Sequence, residues 1–320
     1  MPEFTSPLAV TQAGAYDAIA FGTPPLPDAL AALREDLEAR LHATLAHLPA
    51  AMRQEARTMV EAYSGRAGEF YRLYYQPVWS FLHWLDAPDE ARTAQALGLF
   101  LHLWDDHLCD GQLATTQLTL QVRTDAWMAY LDHARRLAHQ MGADPSWVDA
   151  HAATYLQAIH VPEPIADVDA FCMRFERQIA IWTLVPRLLG PALGGMDAGD
   201  DLANVLRAFS NAWRLVDDIQ DVEEDVQAGV ASAVWHTLNA EGRVAWDACH
   251  AQSRATGRLD ADGWHALKAQ LDTQACIPAL LTRARAWLDN ASVLAERRGW
   301  AALAAEIRAH HWAAETPAMP

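Results

Sequence analysis

Lysine is nearly missing: of the 24 basic residues in the 320-residue chain, only Lys268 is a lysine and the rest are arginines. Those 24 bases stand against 41 acids, a formal net charge of −17. A chain so poor in positive charge has no broad face for neutralising phosphates, which argues against a nucleic-acid partner. Cysteine is scarce as well. Cys109, Cys172, Cys249 and Cys276 form no CxxC pair and no short disulfide framework, which fits a reducing, cytoplasmic setting. Long apolar runs are absent. The longest, Ile179 to Pro186, stops at Arg187, far short of the ~20 residues of a membrane span. Met1 to Val10 carries Glu3 and neither a basic stretch nor an apolar core, so it does not read as a secretory leader.

Strand signals are also lacking. Alternating apolar and polar runs of strand length do not occur, β-branched runs are rare, and alanine and leucine dominate a chain that is 52% hydrophobic. This composition favours helices. Residues 1–27, rich in Pro, Gly and Thr, read as a loose lead-in. From Asp28, a candidate N-cap, Leu30, Leu33, Leu37 and Leu41 follow at helical spacing. Pro49, Pro77, Pro88, Pro145 and Pro164 mark breaks between helices, as do Gly190, Gly194–Gly195, Gly229, Gly257 and Gly263. No internal repeat and no linker divides the remainder. The expected fold is all-α: a single domain over 28–320, about ten to twelve helices around an apolar cavity. Tryptophan, at 13 copies, fills helix seams, and a subset could line that cavity.

Two carboxylate clusters stand out. The first, Asp105-Asp106-His-Leu-Cys-Asp110, ends the apolar run Ala96 to Leu103. A helix C-terminus disfavours negative charge, so these acids are badly placed for packing alone. Asp106 and Asp110 share a face, while Asp105 lies about 100° round. The second cluster is Asp217-Asp218-Ile-Gln-Asp221-Val-Glu-Glu-Asp225, preceded by the apolar face Phe209, Ala212, Val216 and Ile219. Asp217, Asp221 and Asp225 repeat every four residues, each step rising ~6 Å with little rotation, and form a ladder. Like charges so spaced destabilise a helix unless cations sit on them. An all-oxygen donor set selects Mg²⁺ or Mn²⁺ rather than zinc. Mg²⁺ commonly shares its shell with phosphate oxygens, which points to a phosphorylated substrate. Other metal and nucleotide patterns fail: Glu-x-x-His, His-Glu-x-x-His, P-loop and GxGxxG are all absent.

Two aspartate-rich motifs on separate helices resemble those of the class I isoprenoid synthases, which include the trans-prenyl diphosphate synthases and the class I terpene cyclases. The run from Gly195 through Trp213-Arg-Leu-Val-Asp-Asp-Ile-Gln-Asp221 is similar to the second aspartate-rich helix of the prenyl synthases. Asp225-Val-Gln-Ala-Gly229 resembles the start of their following segment, and Leu188 to Gly195 resembles the helix upstream. The resemblance implies the isoprenoid synthase fold, a homodimer, a prenyl diphosphate substrate and three Mg²⁺ ions. The ions would be held by Asp105, Asp106, Asp110, Asp217, Asp218, Asp221 and Asp225, with Mn²⁺ as a substitute.

The departures from the elongating enzymes are specific. No Arg-Arg-Gly follows the first motif, the usual Lys after Gly229 is Val230, and Trp213-Arg214 replaces Phe-Gln. A second diphosphate substrate would therefore find few cations, although Arg66 and Arg72 could partly substitute. The DDxxxD form of the first motif and the spacing of the ladder lean towards the cyclases. The resemblance thus implies a class I terpene synthase acting on a C15 or C20 prenyl diphosphate. Arg174, Arg177 and Arg214 would contact the diphosphate, and Phe100, Trp104, Trp182 and Trp213 would line the cavity. The alternatives are a prenyltransferase using the same motifs and a non-catalytic subunit of a heteromeric synthase.

Overall fold

The computed structural model describes residues 16, 19, 21–22, 24–63, 75–109, 111–161 and 163–311. These residues are all-helical, with fifteen α-helices and one 3₁₀ turn. No helix among them is long and apolar enough to cross a membrane.

The helices are α1 (Asp28–Thr44), α2 (Ala50–Tyr63), α3 (Pro77–Trp84), α4 (Asp89–Cys109), α5 (Gln117–Met141), α6 (Ser146–His160), α7 (Val168–Gln178) and α8 (Ala180–Leu188). After the 3₁₀ turn Gly190–Leu193 come α9 (Met196–Gln220), α10 (Val222–Ala228), α11 (Ala233–Thr237), α12 (Ala240–Thr256), α13 (Ala261–Thr273), α14 (Cys276–Arg297) and α15 (Ala301–Ala309). The count exceeds the expected ten to twelve in part because bends at Ile179 and Asp221 each divide one run into two helices, and in part because α11 is a helix of only five residues. Pro49, Pro77, Pro88, Pro145 and Pro164 all fall at helix junctions, where their missing N–H costs nothing. Gly263 differs from the expectation. It lies inside the first turn of α13, its N–H donating to the N-cap carboxylate of Asp260. Asp28 is shifted by one place: Pro27 is the N-cap, and Asp28 sits in the first turn, where the dipole favours a carboxylate.

Two helices carry the core. Residues 93–102 of α4 are buried all the way round, as expected of a helix enclosed by others; α1, α5 and α8 pack against it. At its closest crossing a Cβ on Gly98 would lie 3.2 Å from the Ile181 carbonyl of α8, so glycine sets that approach. Helix α9 packs against α8 on one side and α14 on the other. The leucine stripe of α1 is buried at all four expected positions, each worth roughly 1.5–3 kcal/mol.

The lead-in is not loose where it is described. Tyr16 and Phe21 are buried. Gly22 N–H donates to the His310 carbonyl at 3.1 Å, and Gln220 Nε2 donates to the Ile19 carbonyl at 2.7 Å. A Cβ on Gly22 would come within 2.3 Å of the Ala309 carbonyl. The segment is a strap between the C-terminal helix and the end of α9.

Candidate functional site

The C-terminal ends of α4 and α9 lie near enough for Asp106 of the first cluster to act on Asp217 and Arg214 of the second. The Arg214 guanidinium pairs with Asp218 at 2.9 Å and Asp217 at 3.6 Å. Burial alone would lower the Arg214 pKa. The charges of Asp218, Asp217, Asp106 and Asp225 together outweigh burial and hold it above its ordinary value. One arginine thus serves four carboxylates from α4, α9 and α10. Its guanidinium also lies 5.8 Å and 6.0 Å from the ring centres of Phe171 and Phe175, within cation–π range.

The aspartates divide into two kinds. Asp105 is 1% exposed and fully engaged. Arg123 grips both its oxygens, Tyr155 Oη donates to Oδ2 at 3.2 Å and Trp127 Nε1 to the same oxygen at 3.4 Å. Asp218 is 2% exposed; its Oδ2 accepts the Ala233 N–H at 2.7 Å, so it fixes the start of α11 as well as holding Arg214. Both were expected to be metal ligands. In the structure their oxygens are bound to protein donors.

Asp106, Asp217 and Asp225 are the other kind. Asp106 is exposed to solvent but walled in by protein. Its pKa is raised by burial, with Arg214 opposing and Asp105 adding. Asp217 is pushed up to about 6, first by burial and then, against the pull of Arg214, by Asp218 and Asp106. Asp225 is pushed up to about 7 by burial and Asp218, against the pull of Ser232 and Arg214. Its Oδ2 is buried with no hydrogen-bond partner. Asp221 lies at the bend between α9 and α10 and is exposed. The backbone bonds Asp221 N–H to Asp217 carbonyl and Asp225 N–H to Asp221 carbonyl still carry the ladder through that bend. Asp110 lies outside the described residues, as do Arg66 and Arg72.

The arginines also part company. Arg214 is at the centre. Arg174 is half-buried, with an Nε that is buried and has no hydrogen-bond partner. Arg177 is exposed, ion-pairs with Glu163 and lines a separate pocket. It does not join the carboxylates. Of the aromatic residues, Phe100 and Trp104 are fully buried, their rings 5.0 Å apart, and Trp104 Nε1 donates to the Thr119 carbonyl at 3.2 Å. Trp104 thereby ties α4 to α5. Trp182 lies tilted against His102, their ring centres 5.1 Å apart, and Trp213 lies 6.1 Å from Phe175.

Several residues at the site carry no signal in the cluster spacing. Arg123, Trp127 and Tyr155 lie 18, 22 and 50 residues from Asp105. Tyr75 faces Asp217, which together with burial raises its pKa. His102 could have been found: it precedes Asp106 by one turn and shares its face. Burial, reinforced by Arg214, drives its pKa down to about 4, so the ring is neutral. It sits among Trp182, Tyr155 and Phe175.

Among the described residues no three His, Cys, Asp or Glu side chains converge tightly enough to hold a metal as they stand. The chemistry of Asp106, Asp217 and Asp225 is nevertheless that of donors to a hard divalent cation. The set is all oxygen, short of positive charge, and contains one orphaned buried oxygen. No family model matches this chain, and neither a curated protein nor a solved structure matches it.

Proposed function

We propose that this chain is a class I terpene synthase that ionises a linear prenyl diphosphate of 15 or 20 carbons and cyclises the resulting cation. The observation that carries the reading is that four carboxylates from both clusters, Asp106, Asp217, Asp218 and Asp225, act on a single guanidinium, that of Arg214. Nothing in the packing of α4 against its neighbours requires such an excess of negative charge. A divalent cation and a phosphorylated substrate would supply what is missing.

Bound Mg²⁺, or Mn²⁺ in its place, supplies Lewis-acid stabilisation of the charge that develops on the leaving diphosphate. Asp106, Asp217, Asp225 and the exposed Asp221 are the residues that would hold it. Asp105 and Asp218 are positioning residues. The first anchors the end of α4 to α5 and α6, the second anchors α9 to α11, and both keep the mouth in register. Arg214 keeps Asp217 and Asp218 ionised and oriented. Arg174, with an unmet buried N–H donor, is the arginine best suited to receive a diphosphate oxygen. When the allylic C–O bond breaks, its electron pair leaves with the diphosphate, and the remaining cation needs surroundings that stabilise charge without attacking it. Phe175, Trp182 and Trp213 offer π faces for that purpose.

The test is incubation of the purified protein with Mg²⁺ and C10, C15, C20 or C25 prenyl diphosphates, with and without isopentenyl diphosphate. Organic extracts go to gas chromatography–mass spectrometry. A cyclic hydrocarbon or alcohol from one substrate alone is the expected result. Longer linear prenyl diphosphates, formed only when isopentenyl diphosphate is added, would make the protein an elongating transferase instead.

A further inference from the structure

A concave site lies between α6, α7, α8 and α9. It has a volume of about 370 Å³, and its lining includes His151, Glu176, Arg177, Arg187 and Arg207. Three guanidinium groups from three different helices therefore face one cavity in a chain of net charge −17.

Their charges are unevenly matched. Arg177 pairs with Glu163 and Arg187 with Asp200 at 2.7 Å, but neither acid is part of the lining. Glu176, which is, turns its Oε1 to Asn211 Nδ2 at 2.8 Å. Arg207 has no carboxylate within ion-pair distance among the described residues; its Nε reaches only the Ala203 carbonyl, at 3.4 Å. The network also sets the state of His151. Its Nδ1 lies 2.8 Å from the Trp147 carbonyl and so carries the proton, leaving Nε2 to accept from Arg187 Nη1 at 3.3 Å. Burial depresses the pKa of this imidazole. The Trp147 carbonyl opposes the shift, Arg187 and Arg207 deepen it, and Asp200 offsets part of it.

The pocket is distinct from the carboxylate mouth. On α9, Arg207 precedes Arg214 by seven residues, about 10 Å along the axis, and none of the three arginines pairs with an aspartate of the mouth.

We propose that this pocket binds a phosphate-bearing anion, independently of divalent metal and of the aspartate-rich mouth. The guanidinium fork matches phosphate oxygens in geometry and charge. The cavity is larger than a single phosphate needs, so a diphosphate or the head of a phosphate ester fits it. Met173, 66% exposed, borders the pocket and gives an ester's alkyl chain an apolar surface to lie on.

The experiment is isothermal titration calorimetry on the full chain in EDTA at fixed ionic strength, so that the mouth holds no metal. The probes are inorganic phosphate, inorganic diphosphate and farnesyl monophosphate. Imidazole NMR follows His151 in parallel. The expected result is one site per chain, an upward shift of the His151 pKa on binding, and about tenfold weaker binding in Arg207→Gln. Arg207→Lys should restore part of the loss, and Asp217→Asn should leave binding unchanged. Tighter binding of inorganic diphosphate would identify a free anion as the ligand, and tighter binding of the ester a phosphate ester. No binding of any probe by the folded protein, or equal binding by Arg207→Gln, would overturn the proposal. So would a His151 pKa that does not move.

Discussion

The two Asp–Asp pairs look alike in the chain and are used differently in the fold. Asp105 is balanced one for one: a buried carboxylate met by Arg123, with Tyr155 and Trp127 taking up its remaining capacity. Around Asp217 and Asp218 the balance is four carboxylates to one arginine. Each pair still contributes one residue of each kind. Asp105 and Asp218 are anchors, while Asp106 and Asp217 open into the mouth. Charge excess, rather than the presence of acids, therefore separates the residues available to a ligand from those that hold the bundle together. A buried carboxylate with a full set of donors is at rest. One raised by burial and by neighbouring carboxylates, as Asp217 and Asp225 are, carries a like-charge crowding that a cation would relieve.

The largest test of this difference is on turnover. Asp217→Asn and Asp106→Asn should lower product formation by about 10³-fold or more, while their melting temperatures stay level or rise because like-charge crowding is relieved. Asp105→Asn should act in the opposite sense on stability. It leaves Arg123 unpaired beside a buried seam and should cost about 3–5 kcal/mol, read by urea denaturation. If the two classes of variant behave alike, the division into anchors and ligands is wrong.

A finer test uses metal. The folded-state pKa values of Asp217 and Asp225, about 6 and about 7, lie above those of the unfolded chain. Their contribution to stability is therefore present at low pH and is lost as pH rises through about 4 to 7. Mg²⁺ with inorganic diphosphate should reverse that loss, adding about 2.7 kcal/mol at a hundredfold excess over Kd. The gain should grow between pH 5.5 and 8 and vanish in Asp225→Asn. Thermal denaturation monitored by circular dichroism reads both effects.

Glu306 is the control, a buried carboxylate whose pKa no aspartate of the two clusters shifts. It ties α15 to α3 through Ser80 Oγ at 2.5 Å and Trp84 Nε1 at 3.0 Å. Burial raises it to about 7, although both donors pull the other way. Its stabilisation is likewise complete below about 4.5 and lost as pH rises towards 7. Glu306→Gln should flatten stability by about 2 kcal/mol between pH 5 and 6.5. Unlike the mouth, this dependence should ignore Mg²⁺.

Much of this was legible in the chain. Proline positions located the junctions, the leucine stripe of α1 gave its buried face, and the four-residue repeat gave the Asp217–Asp225 ladder. What helical periodicity cannot give is the partner across a seam. It placed Asp105 and Asp106 about 100° apart but held no trace of Arg123 or Tyr155, which arrive from α5 and α6. Arg177 lay at a plausible distance in sequence from the second cluster, yet Arg214 took the central place. The strap of Tyr16, Phe21 and Gly22 was hidden for a different reason. Its Pro- and Gly-rich composition suits an irregular segment whether or not it packs, and only its contacts with His310 and Gln220 reveal that it does.

The most direct measurement is electron paramagnetic resonance of Mn²⁺ added with inorganic diphosphate to the purified protein, wild type beside Asp217→Asn, Asp225→Asn and Asp105→Glu. It reads the mouth itself, without assuming any organic substrate. The account predicts bound Mn²⁺ in the wild type, loss of that signal in Asp217→Asn and Asp225→Asn, and its retention in folded Asp105→Glu. A wild type that binds no Mn²⁺ under these conditions, or an Asp217→Asn protein that binds it as well as the wild type, would contradict the assignment of the mouth as a metal-dependent diphosphate site.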